Sequence, residues 1–107
     1  MASFLAKGRL MILSPFVDEQ KRTRYYVLNC DGWDQFEQLV KHVERSLHGT
    51  VTEHVDGPDA RVWTVSVKNH PITFTHNDIL GNCFFSQEEN ASHVLQEVVQ
   101  VVQNAKL

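Results

Sequence analysis

The chain has 107 residues, of which 42% are hydrophobic and 21% are charged. A chain of this length and composition folds as one domain, residues 1–107, and buries a core without metals or disulfides. Ten basic and thirteen acidic residues give a formal net charge of -3. That balance lacks the positive excess that binding to a nucleic-acid backbone needs, so we expect no nucleic-acid partner.

The compartment follows from the cysteines and from the apolar runs. Cys30 and Cys83 each lie in an apolar, strand-like segment, which is typical of small buried thiols in a reducing compartment. The apolar patch within residues 1–10 is too short for a secretory leader, and no run approaches the roughly 18 residues of a membrane span. We therefore predict a cytoplasmic protein with no membrane partner.

The first third of the chain indicates two strands. Apolar segments at 9–16 and 24–30 flank a polar connection, as in an antiparallel pair, and Pro15 suggests a strand end. The second segment has apolar groups on both faces, which indicates a strand inside the sheet. The basic residues near the connection, Lys21, Arg22 and Arg24, lie beside acidic ones and are interpreted as a solvated turn.

A first helix is predicted over 33–48, because apolar residues recur there at three- and four-residue spacing. We expect Asp31 or Asp34 to accept backbone N–H groups at its start. Gly49 is expected to supply the left-handed residue that ends it.

The second half predicts a meander of strands and a second helix. Extended segments at 50–55, 61–68, 72–75 and 82–86 are separated by short turns around Asp56-Gly57-Pro58-Asp59, Asn69-His70-Pro71 and Asn77 to Gly81. Ser86 and Glu89 fit a capping box, with Asn90 as a competing cap. A continuous apolar stripe then predicts a helix over 87–104.

These elements predict an α+β fold, a two-layer sandwich in the order β-β-α-β-β-β-β-α. Each helix has one apolar stripe, so both are expected on one face of an antiparallel sheet of about five to six strands. The other face of the sheet would then be exposed to solvent or form an interface. It is expected to carry the polar residues Thr64, Ser66, Thr73, Thr75 and Asn82.

The histidines and cysteines do not form a recognisable reactive motif. His42 and His48 are six positions apart, about 600 degrees around a helix, so they cannot share a metal there. His70, His76 and Cys83 could converge only if their turns approach each other, a possibility that stays open. Since glycine-rich loops and catalytic triad motifs are also lacking, we predict no enzyme, no catalytic residues, no metal and no cofactor.

Acidic residues around two predicted turns are the best candidate for a binding surface. Turn chemistry explains them locally, yet an acidic rim can also steer a basic partner, and a buried aromatic can anchor it. The predicted protein-binding residues are Trp33, Glu53, Asp56, Asp59 and Asp78.

The last part of the chain has a recognisable cadence: Trp63-x-Val65-x-Val67, Ile72-x-Phe74, Asn77-Asp78-x-x-Gly81-x-x-Phe84-Phe85, then an amphipathic helix. It covers about 45 residues and resembles small α+β bacterial proteins, including immunity proteins of polymorphic toxin systems and uncharacterised single-domain families. The resemblance implies no catalytic residues.

Three functions are compatible with the chain. The first is a non-catalytic protein-binding module, such as an immunity protein that neutralises a basic toxin domain. The second is a housekeeping or regulatory domain acting as a homodimer, suggested by the additional apolar residues Val99 and Val101 on the second helix. The third is a small-molecule binder or enzyme with a pocket between helix and sheet near Trp33, His76 and Cys83.

Overall fold

The computed structural model describes residues 11–106, and part of the first predicted strand, residues 9–10, lies outside them. Within this range six strands form one antiparallel sheet, and two helices complete the predicted order. The bounds are β1 Leu13–Val17, β2 Thr23–Val27, α1 Trp33–Ser46, β3 Thr50–Asp56, β4 Ala60–Val67, β5 His70–Asn77, β6 Gly81–Ser86 and α2 Ser92–Gln103.

The strands lie in the order β1-β2-β6-β5-β4-β3. α1 carries the chain from β2 across to the far edge of the sheet. The meander β3 to β6 then returns strand by strand until β6 pairs with β2. Among residues 11–106, β1 and β3 are therefore the two edge strands.

Both helices pack on one face of the sheet, as the amphipathic stripes predict. Phe36 of α1 and Val98 of α2 are fully buried in the same hydrophobic cluster as Val65, Phe74 and Phe84 of the sheet. The alternation predicted for β4 is also confirmed, because Arg61, Trp63, Val65 and Val67 all face this core. None of the helices in the described part is long and apolar enough to cross a membrane.

The residues predicted to cap the two ends of α1 are wrong, although the predicted span of the helix is nearly right. Its N-cap is Gly32, whose backbone N–H donates to the side chain of Gln35 over 2.9 Å, so neither Asp31 nor Asp34 caps it. The left-handed residue after the helix is His48, with φ 52°, rather than Gly49. Gly49 has another role: a Cβ there would lie 2.7 Å from a methyl group of Val65.

The start of the second helix also differs from the prediction. The Ser86 hydroxyl accepts a hydrogen bond from the backbone N–H of Glu88, and it does not cap a helix that begins at residue 87. A single 3-10 turn, Glu89–Ala91, follows, and α2 begins only at Ser92. Val99 is buried in the core and Val101 packs against it, so neither extends an exposed apolar face on α2.

Three further features of the structure differ from the prediction. Pro15 lies in the middle of β1, opposite Tyr25, which is possible because β1 is an edge strand. The β4–β5 turn is made by Lys68 and Asn69, both with positive φ. Asn82 faces the helices and is buried, so it does not belong to the outer face with Thr64, Ser66, Thr73 and Thr75.

Candidate protein-binding surface

One end of the sheet brings together the start of α1, the β3–β4 turn and the β5–β6 turn. The pairings Asp56 with Arg61, Ala60 with Asn77, and Asn77 with Gly81 place these turns side by side. A β-carbon built on Gly81 would touch Asp31, which shows how closely the segment before α1 approaches the β5–β6 turn. We call this end of the molecule the α1 end.

A buried arginine organises the α1 end. The Arg61 guanidinium lies 4.8 Å from the ring centroid of Trp33, 5.2 Å from that of Phe36 and 5.0 Å from that of Trp63, and the residue is only 6% exposed. Its Nη1 donates to the backbone oxygen of Trp33 over 3.1 Å. Cation–π contact and hydrogen bonding together keep this charge buried and fix the start of α1 against β4.

Asp56 balances the charge of Arg61. Its carboxylate accepts from Arg61 Nε over 2.8 Å and from Arg61 Nη2 over 3.3 Å. Trp63 Nε1 donates to it over 2.9 Å, and His54 Nε2 lies 2.8 Å away. The hydrogen bonds from Arg61, and then from Trp63, hold the pKa of the Asp56 carboxyl well below its usual range. Asp56 is therefore engaged inside the domain.

A second polar connection joins α1 to the sheet through His76, which is buried. Asn82 Nδ2 donates to the backbone oxygens of Cys30 over 2.7 Å and of Gly32 over 3.2 Å, so its Oδ1 accepts from Nδ1 of His76 over 2.7 Å. The other ring nitrogen of His76 lies 3.5 Å from Asp78. The His76 imidazole therefore links the buried Asn82 to the exposed Asp78.

The predicted site residues fall into two groups. Trp33, Asp56, Asp59 and Asp78 all lie at the α1 end. Glu53 does not, because strand alternation and the bulge after Val51 place it on the outer face of the sheet, where Thr64 Oγ1 donates to it over 3.3 Å. Asp59 and Asp78 line one shallow cavity of ≈ 390 Å³.

Two aliphatic residues on the β5–β6 turn are not among the residues predicted from the sequence. Ile79 is 92% exposed and Leu80 is 59% exposed, and both line the cavity with Asp59 and Asp78. Asn77 Oδ1 accepts from the backbone N–H groups of both residues, over 3.0 and 2.6 Å, which fixes the turn. The available signal was an Ile-Leu pair inside a turn, where apolar residues have no core to join.

Further apolar groups extend this surface across the adjacent strands. Leu28 directly follows Val27, the β2 residue that pairs with Asn82, and is 57% exposed. Its backbone N–H donates to the carbonyl of Ile12, which is 56% exposed. Trp33 is 37% exposed and its ring edge meets His76 at 5.5 Å. The α1 end thus combines exposed aliphatic residues, a half-buried tryptophan and exposed carboxylates.

The histidine and cysteine candidates do not converge. His70 and His76 lie at opposite ends of β5, about 20 Å apart along the strand, and His70 contacts Glu88 and His93. Cys83 is buried on the outer face between Tyr26 and Thr75, on the other side of the sheet from Trp33 and His76. Burial raises the pKa of its thiol, against lowering by a hydrogen bond from Arg24.

The basic hairpin at the opposite end of the sheet is neutralised locally. Asp18 accepts from Arg22 Nε over 2.9 Å and from Arg24 Nε over 3.0 Å. Both guanidinium groups also lie over the Phe85 ring, at 4.7 and 4.1 Å from its centroid. These contacts give the two arginines a structural role on the outer face.

Comparison of the chain with protein-family models, with curated proteins and with solved structures finds no match.

Proposed function

We propose that this domain is a non-catalytic protein-binding module and that the α1 end is its contact surface. The observation that carries the proposal is the β5–β6 turn, where Ile79 and Leu80 are held in solvent between Asp78 and Gly81. Clustered exposed apolar groups with a polar rim are typical of protein interaction sites. An aliphatic tip can fill a pocket on a partner, and Trp33 supplies an aromatic surface beside it.

The surrounding charges favour a basic partner. Asp78 is 70% exposed and Asp59 is exposed, whereas Arg61 is buried and paired with Asp56. Lys21, Arg22 and Lys68 belong to turns at the other end of the sheet, and Arg24 lies at the start of β2 beside one of them. Lys106 follows the end of α2, which contacts Met11 near the α1 end, and is an exposed basic residue close to this surface. Acidic groups around an apolar centre would steer a positively charged surface into contact.

Binding, rather than reaction, also fits the state of the titratable groups. Asp56 is bound to Arg61 and Trp63, and His76 is bound to Asn82, so these side chains support the scaffold. Combined with the resemblance to immunity proteins, this supports a specific version of the proposal. The partner is a basic toxin domain, and the α1 end covers part of that domain's surface.

The test is retention of a partner by the purified domain. The variant carrying Ile79→Ser and Leu80→Ser should fold normally, since substitutions at exposed sites change the free energy of unfolding by about 0.5 kcal/mol or less. It should lose a basic protein that the wild-type domain co-purifies from its host. Phe16→Ser is the matched control, because Phe16 is 56% exposed on β1, an edge strand remote from the β5–β6 turn. Equal retention by all three proteins would exclude the α1 end as the contact surface.

The toxin hypothesis has its own test. Expression of a toxin encoded beside this gene should arrest growth, and co-expression of the wild-type domain should restore it. The double variant should restore growth poorly while the Phe16→Ser control restores it fully. Rescue by the double variant at the wild-type level would contradict a neutralising contact through the β5–β6 turn.

A further inference from the structure

The two edges of the sheet differ in their capacity to pair with another strand. β1 is five residues long and has Pro15 at its centre, which lacks a backbone donor and protects the edge. β3 is seven residues long, contains no proline, and is exposed at residues 52–56. An edge of this kind is a template for a further strand.

The hydrogen bonding of the β3–β4 hairpin shows which backbone groups of β3 face outward. The Gly57 N–H donates to the Ala60 carbonyl over 2.8 Å, so this pair is hydrogen-bonded. Since hydrogen-bonded and non-bonded pairs alternate along an antiparallel ladder, Val55 bonds to β4. The N–H and C=O groups of His54 and Asp56 must therefore point away from β4, beyond the edge of the sheet.

We propose that a second copy of this chain pairs antiparallel with β3 about a two-fold axis at Val55, forming a homodimer with a continuous sheet. In this register His54 lies opposite Asp56 of the partner subunit, and Asp56 lies opposite the partner subunit's His54. All four residues present outward backbone groups, so two hydrogen-bonded pairs form and the Val55 pair between them is a close, non-bonded one. The proposal does not depend on the protein-binding function of the α1 end.

Side-chain chemistry favours this occupant over an arbitrary strand. Val55 is 55% exposed and its cross-strand neighbour Val62 is 36% exposed, both on the outer face. The axis would bring the two copies of this valine pair together into one apolar row. On the helix side of the sheet, the His54 imidazole of each copy lies opposite the Asp56 carboxylate of the other copy. Glu53 falls opposite Gly57 of the partner subunit, so no acid faces an acid.

The experiment is sedimentation equilibrium of the full chain over a wide concentration range. The wild type should show a reversible monomer–dimer equilibrium. Val55→Lys and Val55→Glu, each alone, place like charges at the axis and should weaken self-association at least about tenfold, or about 1.4 kcal/mol. An equimolar mixture of the two variants should recover dimers, because opposite charges then meet at the axis.

Val17→Lys is the matched control, since Val17 is 60% exposed on the opposite edge strand and the charge change is the same. It should associate like the wild type. Amide exchange of the wild type gives a second measurement: the N–H groups of His54 and Asp56 should gain protection as concentration rises, while that of Val55 is protected throughout. A wild type that stays monomeric, a Val55→Lys variant that dimerises like the wild type, or a mixture that does not associate would overturn the proposal.

Discussion

Asp56 receives two hydrogen bonds from Arg61 and one from Trp63 on one carboxylate, and those contacts decide its role. From the sequence, Asp56 and Asp59 look equivalent, because both belong to one turn. In the structure, Asp59 is the one of these two whose charge is available to a partner. The decisive neighbour, Arg61, reads in the sequence as an ordinary strand residue, and its position among Trp33, Phe36 and Trp63 emerges only when α1 packs against β4.

Asp56→Asn should lower the free energy of unfolding at neutral pH, because it leaves the buried Arg61 without its main counterion, whereas Asp59→Asn should have little effect. The loss should depend on pH. The pKa of Asp56 lies below its ordinary value of 3.8 in the folded state, so its stabilising contribution is complete above that pH. It disappears as the pH falls further and the folded-state carboxyl takes up a proton.

Thermal unfolding of the wild type and of both asparagine variants between neutral pH and about pH 2 checks this prediction. The gap between the wild type and Asp56→Asn should narrow steadily as the pH falls below 3.8, since the variant resembles the protonated residue. Asp18 adds an acid-labile contribution common to all three proteins: burial raises its pKa, but the hydrogen bonds from Arg22 and Arg24 outweigh that effect and lower it. A gap that persists unchanged at acid pH would refute the assigned role of Asp56.

At the scale of elements, hydrophobic periodicity was a sufficient guide to which segments are helices and strands. The stripes of α1 and α2 and the alternation of β4 follow directly from burial against one sheet face. Element ends were harder to predict, because tertiary contacts determine them. Gly49 is an example: local chemistry suggests a left-handed helix end, but the residue is glycine because β4 passes too close for a side chain.

Gly49→Ala should therefore destabilise the domain by about 1–3 kcal/mol, the usual cost of inserting a methyl group into packed structure. The new Cβ would lie 2.7 Å from Val65 Cγ1 and 3.0 Å from the Ser66 carbonyl, and Val65 is fully buried. Gly57→Ala is the matched control, since its nearest neighbour would be 3.5 Å away. Urea unfolding of both variants measures the difference. Equal midpoints would show that the α1–β3 connection adjusts without cost.

At the scale of the whole molecule, the sequence predicted the layer architecture and most of the acidic surface, but it did not predict which groups would meet. Glu53 lies on the outer face because a bulge after Val51 changes the alternation of side chains along β3. Ile79 and Leu80 became the centre of the candidate surface because the turn that holds them extends beyond the core. Both outcomes depend on three-dimensional register, which single-residue patterns do not encode.

The separation of charge along the sheet gives the last prediction. Asp78→Lys, at the α1 end, should slow association with a basic partner by about tenfold at low salt, and the effect should shrink as salt screens the charges. Glu19→Lys, in the exposed β1–β2 turn at the other end, changes the net charge equally and should change the rate much less. Stopped-flow association rates at two ionic strengths separate the two variants. Equal slowing by both would mean that net charge, rather than the acidic rim around Ile79 and Leu80, governs encounter.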